Sequence, residues 1–231
     1  MPEPEHIPSR NDSCLVVFFK APDRSKRRLA DEIGELAARA ATHLWDCIEE
    51  DVNSWNGSVC YAPAELSDAN WLSRQLHAPH SAVLQHGRNL GARINHVDRV
   101  LRHGGERKLI FVGTDCPAMK PEYLARADVL LEDYDVVLGP ASDGGVVLMG
   151  ARVGWPPLTD LPWSTSKLHA ELTQACLTHG LSITDLEQRD DVDTVAELLA
   201  AGQDLADDRR PARQALVNWL MEPNPAWTER S

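Results

Sequence analysis

Residues Cys14-Leu-Val-Val-Phe-Phe19 form a short apolar run, Lys20-Ala-Pro-Asp-Arg-Ser-Lys-Arg-Arg28 follow as a polar stretch, and apolar residues then recur at three- and four-residue steps from Ala30 to about Val52. The first run is the length of a strand and rich in β-branched and aromatic residues, as a strand buried on both faces requires. The last segment, with Ile33, Leu36, Ala40, Leu44, Cys47 and Ile48 on one stripe, has the period of an amphipathic helix. Strand, polar loop and helix in this order open an α/β unit.

The same alternation runs outward from there. Strands are predicted over Ser58–Tyr61, Ala82–Leu84, Lys108–Gly113, Val136–Leu138, Val146–Met149 and Leu181–Leu186. Helices are predicted over Glu65–Leu76, Leu90–His103, Pro121–Leu131 and Lys167–His179. Pro121 suits a first helical turn. Thr194-Val-Ala-Glu197 reads as a capping box opening a further helix, and Pro211 opens the last, through about Met221. Alternating strands and helices imply a single-domain α/β fold with a mainly parallel, twisted central sheet and helices on both faces. The expected organisation is a flexible N-terminal segment over residues 1–13, the domain over 14–221 and a flexible tail over 222–231.

Composition limits the function classes. A formal net charge of -12 argues against general nucleic-acid binding, which needs a basic face. It also means that an anionic substrate needs local positive charge or a metal ion to overcome the surrounding field. Apolar runs fall well short of the ~20 residues of a membrane span. The first thirteen residues are polar, carry Pro2, Pro4 and Pro8, and have no apolar signal core. Five scattered cysteines, none in a CxxC pair, favour neither a zinc site nor a disulfide framework. A cytoplasmic location is expected.

Three polar segments follow strands, at the carboxyl ends where an α/β sheet binds ligands, and a fourth sits late in the chain before the capping box. Lys20–Arg28 packs Lys20, Arg24, Lys26, Arg27 and Arg28 into nine residues, suiting a phosphate chain, or else it is a solvated basic loop. Gly113-Thr-Asp-Cys-Pro117 puts Asp115 at a strand end, either as a magnesium ligand or as an Asx-type turn. Gly139-Pro-Ala-Ser-Asp-Gly-Gly145 offers close backbone approach at Gly144 and Gly145, or a plain Asp-Gly hairpin turn after Asp143. Asp190-Asp-Val-Asp193 either supplies a second carboxylate or complements a helix dipole.

Taken in order, six stretches resemble a bacterial family with the glycosyltransferase A-type fold, the radical-SAM/selenodomain-associated glycosyltransferases. They are Phe19-Lys-Ala-Pro22 with Lys26-Arg-Arg-Leu29, Leu90-Gly-Ala-Arg93, Phe111-Val-Gly-Thr-Asp-Cys-Pro117, Leu138-Gly-Pro-Ala-Ser-Asp-Gly-Gly145, Trp163-Ser-Thr165 and Asp191-Val-Asp-Thr194. The resemblance implies a nucleotide-diphosphosugar-transferase fold and Mg²⁺ or Mn²⁺ held by Asp115 and Asp193. It implies phosphate contacts from Lys20, Lys26 and Arg28, and a substrate pocket along Asp143, Gly144, Gly145, Trp163 and Thr165. Two departures stand out. Asp23-Arg-Ser25 replaces the family's longer, glycine-bearing first loop, and Val146-Val147 replaces aromatic residues after Asp-Gly-Gly.

The activity so implied is metal-dependent transfer from a nucleotide or nucleotide sugar to a small-molecule acceptor, most directly glycosyl transfer. The alternatives are nucleotidyl transfer to a phosphorylated acceptor and a non-catalytic descendant that binds a nucleotide or a partner.

Overall fold

The apolar run at the start becomes an interior β-strand of the sheet, beside the central one. The computed structural model describes residues 12–76, 80–224 and 227. Strand β1 (Ser13–Phe19) lies between β2 (Val59–Pro63) and β4 (Lys108–Val112) and is parallel to both. The full sheet has seven strands in the order β3-β2-β1-β4-β6-β5-β7, with β3 (Ser81–Ala82), β5 (Val136–Pro140), β6 (Val146–Ala151) and β7 (Ile183–Asp185). Only β6 runs against the others, between β4 and β5. A hairpin between β5 and β6 explains this: a short Asp-Gly turn can join only antiparallel strands.

Side-chain alternation along β1 shows why both faces need cover. Leu15, Val17 and Phe19 face one core with α2 (Leu36–Ser54), α3 (Leu66–Gln75) and α5 (Pro121–Leu130). Cys14 and Val16 face the other, with α4 (Leu90–His103) and α6 (Leu168–Thr178). A third layer packs α1 (Arg27–Ile33), α7 (Val195–Asp204) and α8 (Pro211–Met221) against the outer side of α2. The expected single α/β domain with helices on both faces is therefore the observed one, with a mixed, mostly parallel sheet.

Several boundaries differ from the sequence expectation. The continuous helix expected over Ala30–Val52 is two helices. The chain turns at Gly34 (φ +56°), whose N–H bonds the Ala30 carbonyl at 2.9 Å and closes α1. The third strand sits at Ser81–Ala82 and is exposed, a short edge with little to bury. Ser13 already belongs to β1, and its N–H and hydroxyl both donate to Asp128. The expected flexible segment over 1–13 and the tail over 222–231 otherwise lie largely outside the described residues. Within the tail, Trp227 packs edge-on against Trp219 at 5.4 Å between ring centroids.

One buried ionic network fixes the loop that follows β4. Arg213 in α8 is fully buried. It donates to Asp51 at 2.6 Å, Glu50 at 2.9 Å, and the carbonyls of Cys47, Pro117 and Met119. Arg210 adds bonds to Asp51 at 2.7 Å and to Met119. A guanidinium has five donors in a rigid fork, so it can tie three chain segments together at once. Residues 117–119, just past Asp115, are thereby anchored to α2 and α8.

Candidate active site

Parallel pairing decides where the polar segments go. Val17 of β1 lies opposite Val112 of β4, so the loops leaving both strands emerge side by side. Antiparallel β6 starts at that same edge, next to the end of β4, which puts the Asp143-Gly144-Gly145 turn there too. The chain beyond β7 continues along this edge through an isolated bridge between Ala141 and Arg189. All four segments singled out in the sequence thus share one rim of the sheet.

The first loop is pinned at its base. Ala21 N–H donates to Asp68 at 3.0 Å, and Asp68 also closes a capping box with Glu65 at the start of α3. Arg24 joins the same pair, 2.5 Å from Glu65 and 3.3 Å from Asp68. After one tight turn over Pro22–Arg24, Lys26 adopts a left-handed backbone (φ 56°, ψ 48°). For a lysine such a conformation costs about 1–3 kcal/mol and is held only by its surroundings.

Those surroundings are the carboxylates. The Lys26 side chain is 3% exposed, and its ammonium lies 2.8 Å from Asp115 Oδ1 and 3.4 Å from Asp193 Oδ1. It also donates to the Val192 carbonyl. Arg28 approaches the other oxygen of Asp193 at 3.3 Å. The Val192 N–H donates to the Asp115 carbonyl at 2.8 Å, so the two acidic segments are joined backbone to backbone. Thr114 donates its hydroxyl to Asp115 at 3.1 Å. Asp193 precedes α7, where the predicted capping box forms: Glu197 accepts from the N–H groups of Asp193 and Thr194.

Asp191 is the site residue that sequence reasoning passed over. Residues two apart in an extended segment face the same way, so the Asp191-Val-Asp193 spacing carried the signal. Burial raises the Asp191 carboxyl to about 6, and the charges of Asp143, Asp193 and Asp115 push in the same direction.

Two adjoining cavities open on this rim. A groove of about 560 Å³ is lined by Lys20, Arg24, Lys26, Arg27, Arg28 and Arg93, together with Asp115 and Asp193. Six cations gather there in a chain of net charge -12. Among the described residues Lys20 and Arg27 have no carboxylate within ion-pair distance, and Arg93 bonds only the neutral oxygens of Gly87 and Gln85. The second cavity, about 190 Å³, is mostly apolar and is walled in part by Trp163, with Asp115 and Asp191 at one end.

The remaining expected pocket residues play more local parts. Asp143 caps its own turn, its Oδ1 accepting from Gly145 N–H at 2.7 Å. Gly144 has φ +87°, and a Cβ there would lie 2.1 Å from the Ser166 carbonyl oxygen. The Asp-Gly pair is therefore a hairpin turn, pressed against the 164–166 loop. Thr165 spends its hydroxyl on the Pro162 carbonyl at 2.8 Å and lines neither cavity. Gly91 has a steric role in its motif. A Cβ there would meet the Leu158 carbonyl oxygen at 2.1 Å and Trp163 Nε1 at 2.4 Å.

Solved structures with this architecture include a protein from Desulfovibrio desulfuricans G20 provisionally called a nucleotide-diphospho-sugar transferase. It is 24% identical, with a TM-score of 0.80 over 91% of this chain and 98% of that one. A nucleotidyl transferase from Methanothermobacter thermautotroptrophicus is 15% identical, with a TM-score of 0.55 over 90% and 99%. A Mycobacterium tuberculosis H37Rv protein in complex with manganese is 15% identical, with a TM-score of 0.50 over 81% and 97%. These likenesses establish a nucleotide-diphospho-sugar-transferase-like fold. No curated protein matches the sequence. Residues 50–165 match the family described as "Uncharacterized protein conserved in bacteria (DUF2064)", and the chain belongs to that family.

Proposed function

We propose that this chain is a transferase that binds a nucleotide-activated donor, its diphosphate lying in the cationic groove against Asp115, and that it transfers a glycosyl group. The observation that carries this reading is the meeting of Lys26 with Asp115 and Asp193 on the ligand-binding rim of the sheet. In glycosyl transfer the bond from the anomeric carbon to the phosphate oxygen breaks, and its electron pair leaves with the diphosphate. The acceptor hydroxyl oxygen bonds that carbon and loses its proton to solvent. Lys20, Arg27 and Arg28 are the cations available to steady the departing charge; at an effective dielectric of 20, one such contact at 4 Å gains ~4 kcal/mol before desolvation.

A divalent cation fits the residues in a limited sense. Among the described residues no group of three or more His, Cys, Asp or Glu side chains could cage a metal. Asp115 and Asp193 do converge on one cation position, the one the Lys26 ammonium takes here. Magnesium and manganese bound through one or two carboxylates complete their shells with water and substrate phosphates. Such an ion, when bound, would neutralise charge on the leaving diphosphate. The neighbour crystallised with manganese supports this expectation. The narrower placement among radical-SAM/selenodomain-associated glycosyltransferases rests on the six sequence stretches. A cytoplasmic setting is supported by five buried, unpaired cysteines.

Two other readings each have an observation in their favour. Nucleotidyl transfer is favoured by the neighbour of that activity. A non-catalytic binding role is favoured by a lysine already seated between the two carboxylates. Titration with nucleoside diphosphates and nucleotide sugars, with and without Mn²⁺, tests the proposal through thermal stability. A ligand at about 100 times its Kd adds about 2.7 kcal/mol. Metal-dependent stabilisation in the wild type that is lost in Asp115→Asn supports it; no stabilisation by any nucleotide removes it. Release of a nucleoside diphosphate marks glycosyl transfer, release of pyrophosphate marks nucleotidyl transfer, and binding without turnover marks the third reading.

A further inference from the structure

The smaller cavity differs in chemistry from the groove it adjoins. Phe18, Leu90, Gly113 and Asp115 line both, so Asp115 stands at their junction. Beyond it the walls are Ile94, Phe111, Val146, Val147, Met149 and Leu168. Valines after the Asp-Gly-Gly turn leave open space that aromatic side chains would fill.

Few polar groups reach into this space. The Trp163 indole N–H is already given to the Leu158 carbonyl at 2.8 Å. Burial raises the Cys116 thiol to about 12, so it stays protonated. Lysine and arginine are confined to the groove and none lines the cavity. What remains are the carboxylates of Asp115 and Asp191. Asp115 is held by Lys26. Asp191 has no partner on another side chain among the described residues.

A half-buried carboxylate without a partner calls for a donor from the ligand. A phosphate or carboxylate entering here would meet two like charges and no donor. A sugar ring would set most of its hydroxyls against the apolar walls, away from the carboxylates.

Resting on the transferase reading, we propose that this cavity binds the acceptor, a small molecule with an aliphatic or aromatic body that directs one hydroxyl or amino group at Asp191 and carries no phosphate or carboxylate. The groove takes the anionic donor and the cavity a neutral or cationic acceptor, so charge alone sorts the two substrates on either side of Asp115.

The test uses the full chain without nucleotide or metal. Benzylamine, benzyl alcohol, benzyl phosphate and glucose are titrated while the ¹³C-methyl resonances of Val146, Val147, Met149 and Leu168 are followed. Benzylamine and benzyl alcohol are expected to shift these methyls saturably, the amine more tightly. Asp191→Asn should weaken the amine at least fivefold and the alcohol less. Val147→Phe should abolish both by filling the space, with circular dichroism confirming the fold of each variant. Equal or stronger shifts from benzyl phosphate or glucose, or no shift from any probe, overturn the proposal. Nucleotide binding is followed separately through the groove. If it persists without the methyl shifts, only the acceptor assignment fails. If the methyls respond but no nucleotide binds, the transferase reading fails and the acceptor role with it.

Discussion

Lys26 and Asp115 lie 2.8 Å apart, nitrogen to oxygen, at the point where the first loop meets the end of β4. Asp193 closes the same contact at 3.4 Å, so one buried ammonium bridges two carboxylates from distant parts of the chain. A divalent cation directed at those carboxylates must compete with it. Lys26→Met is therefore expected to bind Mn²⁺ alone at least about tenfold more tightly than the wild type, a gain of about 1.4 kcal/mol. Binding of a nucleoside diphosphate without metal should weaken in the same variant. Electron paramagnetic resonance of free Mn²⁺ reads the first effect directly; equal affinities would show that Lys26 does not occupy the metal position.

Arg213 is a costly side chain to remove. It is fully enclosed, and its loss leaves Glu50 and the carbonyls of Cys47 and Pro117 short of a donor, while Met119 keeps its bond from Arg210. Breaking one side of a buried pair typically costs about 3–5 kcal/mol. Arg210 still reaches Asp51, so Arg213→Met should fall near the lower end, about 3 kcal/mol by urea denaturation. Arg213→Lys should recover little, because an ammonium cannot span the same three segments. A loss under 1 kcal/mol in the methionine variant would mean that the network adds little to stability.

Gly91 sets the approach of α4 to the 158–163 segment. An added methyl would overlap a backbone carbonyl and the Trp163 ring nitrogen, neither of which can yield without moving the loop. Gly91→Ala should cost about 1–3 kcal/mol, in the range for overpacking. The Trp163 indole bond to Leu158 should break with it, shifting tryptophan fluorescence. An unchanged melting temperature and spectrum would refute the close contact.

Asp135 supplies a pH dependence of definite sign. Its carboxylate accepts from the backbone N–H and hydroxyl of Ser182 at 2.9 and 2.8 Å, and from Arg152 at 3.0 Å. The Ser182 bonds lead in holding its pKa below the ordinary carboxylate value, with Arg152 adding to them. A depressed folded pKa means stability that is present above the unfolded value, near 4, and lost as pH falls through the folded one. Asp135→Asn should therefore be less stable than the wild type by about 1 kcal/mol at pH 7. The gap should hold down to about pH 5 and close below about pH 4. A gap that stays constant to pH 3 would exclude Asp135 as its source.

Much of the architecture was readable because periodicity reports burial. Both buried strands at the start and middle of the chain, the helix stripes and the Thr194–Glu197 capping box follow from local pattern alone. Failures came where one residue overrides a stripe. Gly34 lies inside an apolar repeat that continues on both sides, so the break between α1 and α2 is invisible to a periodicity argument. The hydroxyl of Thr165, expected in the pocket through the resemblance, is turned onto the Pro162 carbonyl by local geometry that no sequence pattern reports.

By itself the sequence determined the α/β layering and the three polar segments at strand ends, since hydrophobic spacing and strand-terminal polarity are local properties. Which carboxylates meet which lysine was decided only in three dimensions. Lys26 and Asp193 are 167 residues apart, and their contact depends on strand order, on the single antiparallel strand and on the path beyond β7. Likewise Asp191 stood in plain view beside Asp193, but only the folded chain gives it an apolar cavity to face, because a cavity is made of surfaces from distant segments and leaves no trace in any one of them.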